Sequence, residues 1–245
     1  DKEPFNDPNV RNAVKHIVDR QDWLDKVLFG YGEIGNDNPI GPANIYRATT
    51  DEQPQREYDP EMAKSLLKKA GYDGLSIKFH AADTGFAGAV DAGSLMAETA
   101  KAAGINIEVV REPNDGYWSN VWNVKGWCTS YWGGRPTQDV MYQAAYTAET
   151  NWNETDWRTS DAAVRFNKLV VQARSETNDA KRKDLYWECQ HGGIKEAREY
   201  TECRLQLLAV HIASHLHPPL RIGVPPKLQA NPHKTFWEHG DHDST

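Results

Sequence analysis

The sequence predicts an α/β fold built on a parallel strand pair, and three observations carry that prediction. Leu75, Ile77 and Phe79 alternate with polar neighbours, and so do Ile105, Ile107 and Val109. Between these two runs lies an alanine-rich segment that extends to about Ala103 and stops at Gly104. Alternation marks half-buried strands, and a strand–helix–strand unit favours a parallel pair with a right-handed crossover. The hydrophobic fraction of 39% against 26% charged residues is enough for a folded core. No run of 18 or more apolar residues occurs, so no helix long enough to cross a membrane is predicted.

The elements follow in order. Asp7-Pro8 places a capping acid before a proline in the first turn, and Val10, Val14, Ile17, Leu24 and Leu28 recur at helical spacing until Gly30 and Gly32. One helix is therefore expected there. A loop with Pro39, Gly41, Pro42 and Pro54 follows. Asp59-Pro60 opens a second helix with Ala63, Leu66, Leu67 and Ala70 on one face, Lys68 and Lys69 at its negative end, and Gly71 to close it. After the strand–helix–strand unit, Asp115 is expected to cap a short aromatic helix carrying Tyr117, Trp118 and Trp122. A third strand is expected near Trp127 to Tyr131. Two later helices carry Phe166, Leu169, Val170 and Ala173, then Leu185, Tyr186 and Cys189. Residues 1–190 contain no internal repeat or linker. Residues 191–245 differ, with seven of the nine histidines and five of the thirteen prolines, a change that fits a divergent His/Pro-rich tail, a small module or sequence outside the native coding frame.

Composition narrows the function classes. A net charge of -7 lacks the basic footprint of a nucleic-acid binder. The three cysteines, Cys128, Cys189 and Cys203, have no CxxC spacing and support neither a disulfide framework nor a zinc ribbon. No GxSxG, P-loop or Cys-His signature points to catalysis. Glu154 and Asp156 are the nearest thing to a paired-carboxylate site, but their i, i+2 spacing makes them diverge on a helix or a strand. No enzyme and no cofactor is expected. In the tail, His211, His215, His217 and Cys203 are metal-ligand types, but no second ligand pair accompanies them and Pro218-Pro219 follows at once, so no metal site is expected.

The segment Tyr131-Trp132-Gly133-Gly134-Arg135-Pro136-Thr137-Gln138-Asp139 is the richest in chemistry. It lies where the third strand should end, and ligands of open α/β sheets bind at the carboxyl ends of strands. Gly133 and Gly134 permit a sharp turn or close approach of a ligand. Trp132 offers a flat face. Arg135 offers a planar fork for a carboxylate, worth roughly 1.5–3 kcal/mol per charged hydrogen bond. Asp139 would accept an ammonium group. Together they suit a peptide-like or amino-acid-like solute, with Tyr131, Trp152 and Asn153 as further contacts. The same residues also suit a strand-to-helix turn, with Arg135 paired on the surface and Asp139 capping the helix. Tyr117, Trp118 and Trp122 read first as core.

In sequence order, several segments resemble family 5 extracellular solute-binding proteins, the peptide, opine and nickel receptors of ABC importers. The resemblance covers about residues 4–190. It rests on Pro4-Phe5-Asn6-Asp7-Pro8-Asn9-Val10-Arg11, Asp19-Arg20, Tyr58-Asp59-Pro60-Glu61-Met62-Ala63-Lys64 with Ala70-Gly71-Tyr72, Asp115-Gly116-Tyr117-Trp118, Trp132-Gly133-Gly134-Arg135-Pro136-Thr137, Trp152-Asn153-Glu154-Thr155, and Leu185-Tyr186 with Gln190. It implies one lobe of a type II periplasmic-binding-protein-like fold, the second of two lobes that trap solute by hinge closure. It also implies export to the periplasm or cell surface, a membrane permease as partner, and a cleft-facing position for Trp132 to Asp139.

The resemblance implies that the first lobe is missing from this chain, so binding by the chain alone is expected to be weak or absent. After Gln190 the family continues into an apolar strand, where this sequence reads Gly192-Gly193-Ile194-Lys195-Glu196. Both a shifted reading frame and a divergent tail account for that departure. A standalone carbohydrate- or partner-binding module using surface tryptophans is the alternative function, since seven of the nine tryptophans lie between Trp118 and Trp187.

Overall fold

The computed structural model describes residues 4–193 and 210–211, all within one unit that spans Asp1–Ser214. The elements are helices α1 (Pro8–His16), α2 (Arg20–Asp22), α3 (Pro60–Lys69), α4 (Ala89–Ala100), α5 (Tyr117–Asn120), α6 (Gln138–Ala145), α7 (Asp161–Ser175) and α8 (Asp179–Glu188). The strands are β1 (Glu33–Ile34), β2 (Leu75–Ala81), β3 (Ile105–Arg111) and β4 (Val210–His211). The expectations for the His/Pro-rich tail, its reading frame and its histidines lie outside the described residues, apart from the short backbone pairing of β4 with β1.

β2 and β3 pair in parallel over seven residues, from Leu75 opposite Ile105 to Ala81 opposite Arg111, with α4 connecting them. Leu75, Ile77, Phe79, Ile105 and Ile107 point into a core shared with α1, α3 and α4. Gly93 of α4 lets the helix lie against the sheet, since a Cβ there would sit 2.9 Å from Phe79 Cδ1 and 3.2 Å from Val109 Cγ1.

The expected caps of α1 and α3 form. The Asp7 carboxylate accepts from Asn9 N–H at 2.6 Å, and that of Asp59 from Met62 N–H at 2.8 Å. The expected single first helix does not form. It breaks after His16, resumes at α2 and ends in a π turn over Trp23–Val27. Tertiary donors take the carbonyls that a continuous helix would use: Asp59 N–H bonds His16 O at 2.8 Å, and Thr99 Oγ1 bonds Ile17 O at 2.7 Å. Asp19 then caps α2 by accepting from Asp22 N–H at 3.0 Å.

The motif residue Arg20 has a structural role. Its Nη2 meets Asp37 Oδ1 at 2.9 Å, and Arg56 Nε meets the other Asp37 oxygen at 2.5 Å. Arg56 Nη1 also lies 3.0 Å from His16 Nε2, while His16 Nδ1 faces Glu57 O at 3.2 Å. A carbonyl can only accept, so Nδ1 carries the hydrogen and Nε2 accepts from Arg56. Burial, then the Arg56 charge, holds the His16 pKa below its usual value. Gln190 ties the loop before α3 to α8. Its Oε1 accepts from Asn38 Nδ2 and Ala48 N–H, and its Nε2 donates to Tyr46 O and Tyr186 O.

Instead of the expected third strand there is one parallel bridge between His80 and Cys128, with His80 N–H on Trp127 O and Thr129 N–H on His80 O, both at 3.0 Å. Beyond Cys128 a side chain replaces the ladder. Tyr117 Oη donates to Thr129 O at 2.7 Å. The glycines and proline that follow have low strand propensity, and the chain leaves the sheet. Asp115 does not cap α5 as expected. The cap position is Gly116 in the left-handed region at φ 70°, with no side-chain cap bond.

Candidate functional site

The segment Tyr131–Thr137 crosses from the sheet edge to α6. Trp132 packs on a second core made by α6, α7 and α8 with Ile40 and Tyr46. Trp122 packs on a small third cluster of Ala82, Tyr117 and Val121. The candidate site therefore lies where two separately built cores meet. The helix that leaves the motif is α6, and its cap is Thr137, whose Oγ1 accepts from Val140 N–H at 3.4 Å, in place of the Asp139 that the turn reading expected.

Arg135 folds back on its own turn. Its Cζ sits 5.6 Å from the centre of the Trp132 ring, and Nη1 donates to Gly133 O at 3.3 Å. A guanidinium over an indole is attractive by about 0.5–1 kcal/mol where solvent reaches it. A Cβ on Gly134 would meet nothing within 4 Å, so that side of the turn is open. Asp139 is engaged elsewhere. Its Oδ1 accepts from Arg174 Nε at 3.0 Å and its Oδ2 from Gln143 Nε2 at 2.6 Å, with the side chain 14% exposed.

The aromatic residues do more than the sequence suggests. Tyr117 is buried as expected, and burial, then Cys128, pushes its hydroxyl pKa well above the usual tyrosine range. Trp118, by contrast, is 37% exposed. Its ring centre lies 5.5 Å from Tyr131 and 5.7 Å from Trp122, and Trp122 lies 6.3 Å from Trp132. Trp132 in turn is 6.1 Å from Trp152. Tyr131 is 47% and Trp152 49% exposed. The candidates Tyr131, Trp132 and Trp152 are thus brought together, and Trp118 and Trp122 complete the row.

Polar anchors hold the row from behind. Trp122 Nε1 donates to Glu154 Oε1 at 2.6 Å, and Ser130 Oγ donates to the same oxygen at 2.5 Å. Asn153, expected as a contact, is only 1% exposed and its amide is fully engaged. Nδ2 donates to Tyr146 O, Thr147 O and Trp157 O at 3.1–3.3 Å, while Oδ1 accepts from Thr155 N–H at 3.1 Å and Thr155 Oγ1 at 2.6 Å. Arg158 Nη1 adds bonds to Ala148 O and Thr150 O. Asn153 thus fixes the loop that carries Trp152 and does not face the surface itself. Sequence reading weighed Glu154 as half of a carboxylate pair and as part of a family-like segment, and missed its anchoring role, for which Trp122 and Glu154, 32 positions apart, give no local signal.

Gln138 stands apart. It is 2% exposed, and neither atom of its amide has a hydrogen-bond partner among the described residues. The indole N–H of Trp132 is likewise buried and without one among those residues. No group of three or more His, Cys, Asp or Glu side chains suited to a metal occurs among the described residues.

Comparison with known proteins gives this arrangement a family. A stretch of 72 residues is 39% identical to heme-binding protein A of Haemophilus influenzae, covering 29% of this chain and 13% of that protein. A stretch of 76 residues is 34% identical to the glutathione-binding protein GsiB of Salmonella typhimurium, covering 31% of this chain and 14% of that one. Among solved structures, the Helicobacter pylori periplasmic binding protein DppA, in complex with the peptide STSA, superposes with a TM-score of 0.66 at 21% identity. That match covers 86% of this chain and 41% of DppA. AgaA of A. tumefaciens R10, in complex with agropinic acid, gives a TM-score of 0.68 at 18% identity, with 86% and 42% covered. The chain thus spans well under half the length of these structures and shares their type II periplasmic-binding-protein fold. The model of the bacterial extracellular solute-binding proteins, family 5, middle region, matches residues 1–154, well over half of the 245, and the chain belongs to that family.

Proposed function

We propose that this chain forms one wall of the solute cleft of an ABC importer receptor that takes peptides or opine-like amino-acid conjugates. The observation that carries the reading is Arg135 laid over Trp132 at a turn that is open at Gly134. A planar cation held on a half-buried indole, with Tyr131 and Trp152 exposed nearby, suits a solute with a carboxylate and an apolar body. Tyr131 and Trp152 extend the apolar surface. Asp139 serves through its Arg174 pair, and Asn153 through the loop it fixes. The complexes of DppA with a peptide and AgaA with agropinic acid support that solute class, while the names of the two curated relatives point to haem and glutathione. The working protein would sit in the periplasm or on the outer face of a membrane, with a second lobe closing over the solute and a permease receiving it.

The test is a titration of the 245-residue chain, followed by tryptophan fluorescence, with short peptides and with N-carboxyalkyl amino acids. One wall buries far less of a solute than a closed cleft, so dissociation constants near the millimolar range are expected. Arg135→Ala should weaken carboxylate-bearing solutes about tenfold and leave their amides unchanged. Quenching by oligosaccharides but by none of these solutes would favour the carbohydrate-binding alternative and reject this reading.

A further inference from the structure

The segment between β1 and α3, residues 35–59, has no helix or strand of its own and is held at both ends by side chains. Its middle belongs to the second core: Ile40 and Tyr46 pack there, and Gln190 bonds Asn38, Tyr46 and Ala48. Its later end returns to α1 and α2. Arg56 N–H sits on Asn36 Oδ1 at 2.9 Å, and the Arg56 guanidinium reaches Asp37 Oδ2 at 2.5 Å and His16 Nε2 at 3.0 Å. The segment is thus a strap that ties the first core to the second.

The charged groups around His16 are Arg56 and Asp37 of the strap and Asp59 at the cap of α3, with Arg20 of α2 bound to Asp37. Their charges already balance. Two guanidiniums share the buried Asp37 carboxylate, and the Asp59 carboxylate accepts from Met62 N–H. A neutral His16 fits this set, since it donates to Glu57 O and accepts from Arg56. A proton on Nε2 removes that acceptor and sets a further cation against Arg56, with no free carboxylate to offset it. The other end of the strap has the opposite demand. His191 Nδ1 faces Trp187 O and Nε2 faces Glu52 O, both at 3.1 Å, with the Glu52 carboxylate near both His191 and Lys183. Carbonyls only accept, so a second hydrogen on that ring adds a bond, where one on His16 removes a bond. We propose that His16 is an acid-sensitive catch: protonation of its ring frees the Arg56 end of the strap while the Gln190 end holds, and so loosens the tie between the two cores that meet at the candidate site. The catch belongs to the frame of the site and is independent of which solute the site takes.

The experiment is amide hydrogen exchange by NMR on the 245-residue chain, near pH 7.5 and near pH 5, with each rate divided by its intrinsic value at that pH. Protection of the Arg56 amide should fall about tenfold at the lower pH, because the released ring takes up a proton more readily than the held one. The Ala48 amide, held by Gln190, and the β2–β3 amides should keep their protection. His16→Gln keeps an acceptor for Arg56 and cannot be charged, so the Arg56 amide should then be equally protected at both pH values. His16→Lys carries its charge throughout and should show the low protection at both, with the β2–β3 amides reporting that the variant is folded. Equal protection of the Arg56 amide in the unmodified chain at the two pH values overturns the proposal. A loss shared by Ala48 and the β2–β3 amides overturns it too, because acid would then be unfolding the whole unit. So does a loss that persists in His16→Gln, which would assign the effect to a carboxylate.

Discussion

Phe79 and Trp132 are large aromatic residues of the same unit, held by different means. Phe79 lies in a strand whose position is set by seven residues of parallel pairing and by apolar contact with α1, α3 and α4. Trp132 lies in an irregular segment, packed on the apolar cluster of α6, α7 and α8, with a guanidinium above it and rings beside it. The first region is specified by repeating local signals, and its stability is mainly hydrophobic. The second adds individual side-chain contacts to apolar packing, some local, such as Arg135 over Trp132, and some between residues distant in sequence, such as Trp122 with Glu154.

The comparison is broken most severely in the sheet. Phe79→Ala should cost about 3–5 kcal/mol, because it removes a fully buried ring and leaves a cavity beside Trp127. Chemical denaturation should show the loss across the whole cooperative transition. Asn153→Ala should cost about 2–4 kcal/mol, because three carbonyls and the Thr155 groups lose their partner. Its signature should differ: increased hydrogen exchange confined to residues 146–158 and a red-shifted Trp152 emission, while the β2–β3 amides stay protected. Equal loss of protection in both regions would show that the two are not built separately.

Acid titration sharpens the contrast. The His16 pKa is lowered in the folded protein by burial and by Arg56, so the unfolded chain takes up a proton more readily. The contribution of His16 is therefore complete above its ordinary value of about 6.5 and is lost as pH falls below that value toward the depressed one. A stability curve from pH 8 to 5 should slope downward below pH 6.5, and His16→Gln should flatten that slope. The smallest effect is expected at Gln138→Met. A buried amide without hydrogen-bond partners among the described residues gains little from being polar, so the substitution should be neutral or stabilise by up to about 1 kcal/mol. A loss of more than that in thermal melts would mean that the amide is satisfied in solution.

What could be read from the sequence divides along the same line. The caps at Asp7 and Asp59, the closing turn at Gly71, the paired strands and the apolar faces of α7 and α8 follow from patterns within about a dozen residues, and the structure bears them out. The Trp132–Arg135 turn was legible as a chemical mixture. Its surroundings were not. Asp139 looks available until Arg174 is brought beside it from 35 positions away. Trp118 looks like core until α5 is placed with that ring partly outward. The first helix reads as continuous because only tertiary structure supplies the Asp59 and Thr99 groups that take the carbonyls at its break.

By itself the sequence determined the α/β class, the helix boundaries that carry caps, the strand pair and the family resemblance, because these depend on periodicity and on side chains acting on their own backbone. Only the tertiary structure decided that the third strand is a single bridge, that Asn153 is a buried brace, and that five aromatic rings from three segments form one row. Hydrogen bonds and ring contacts of that kind depend on distance in space, and a chain that folds back on itself makes that distance independent of separation in sequence.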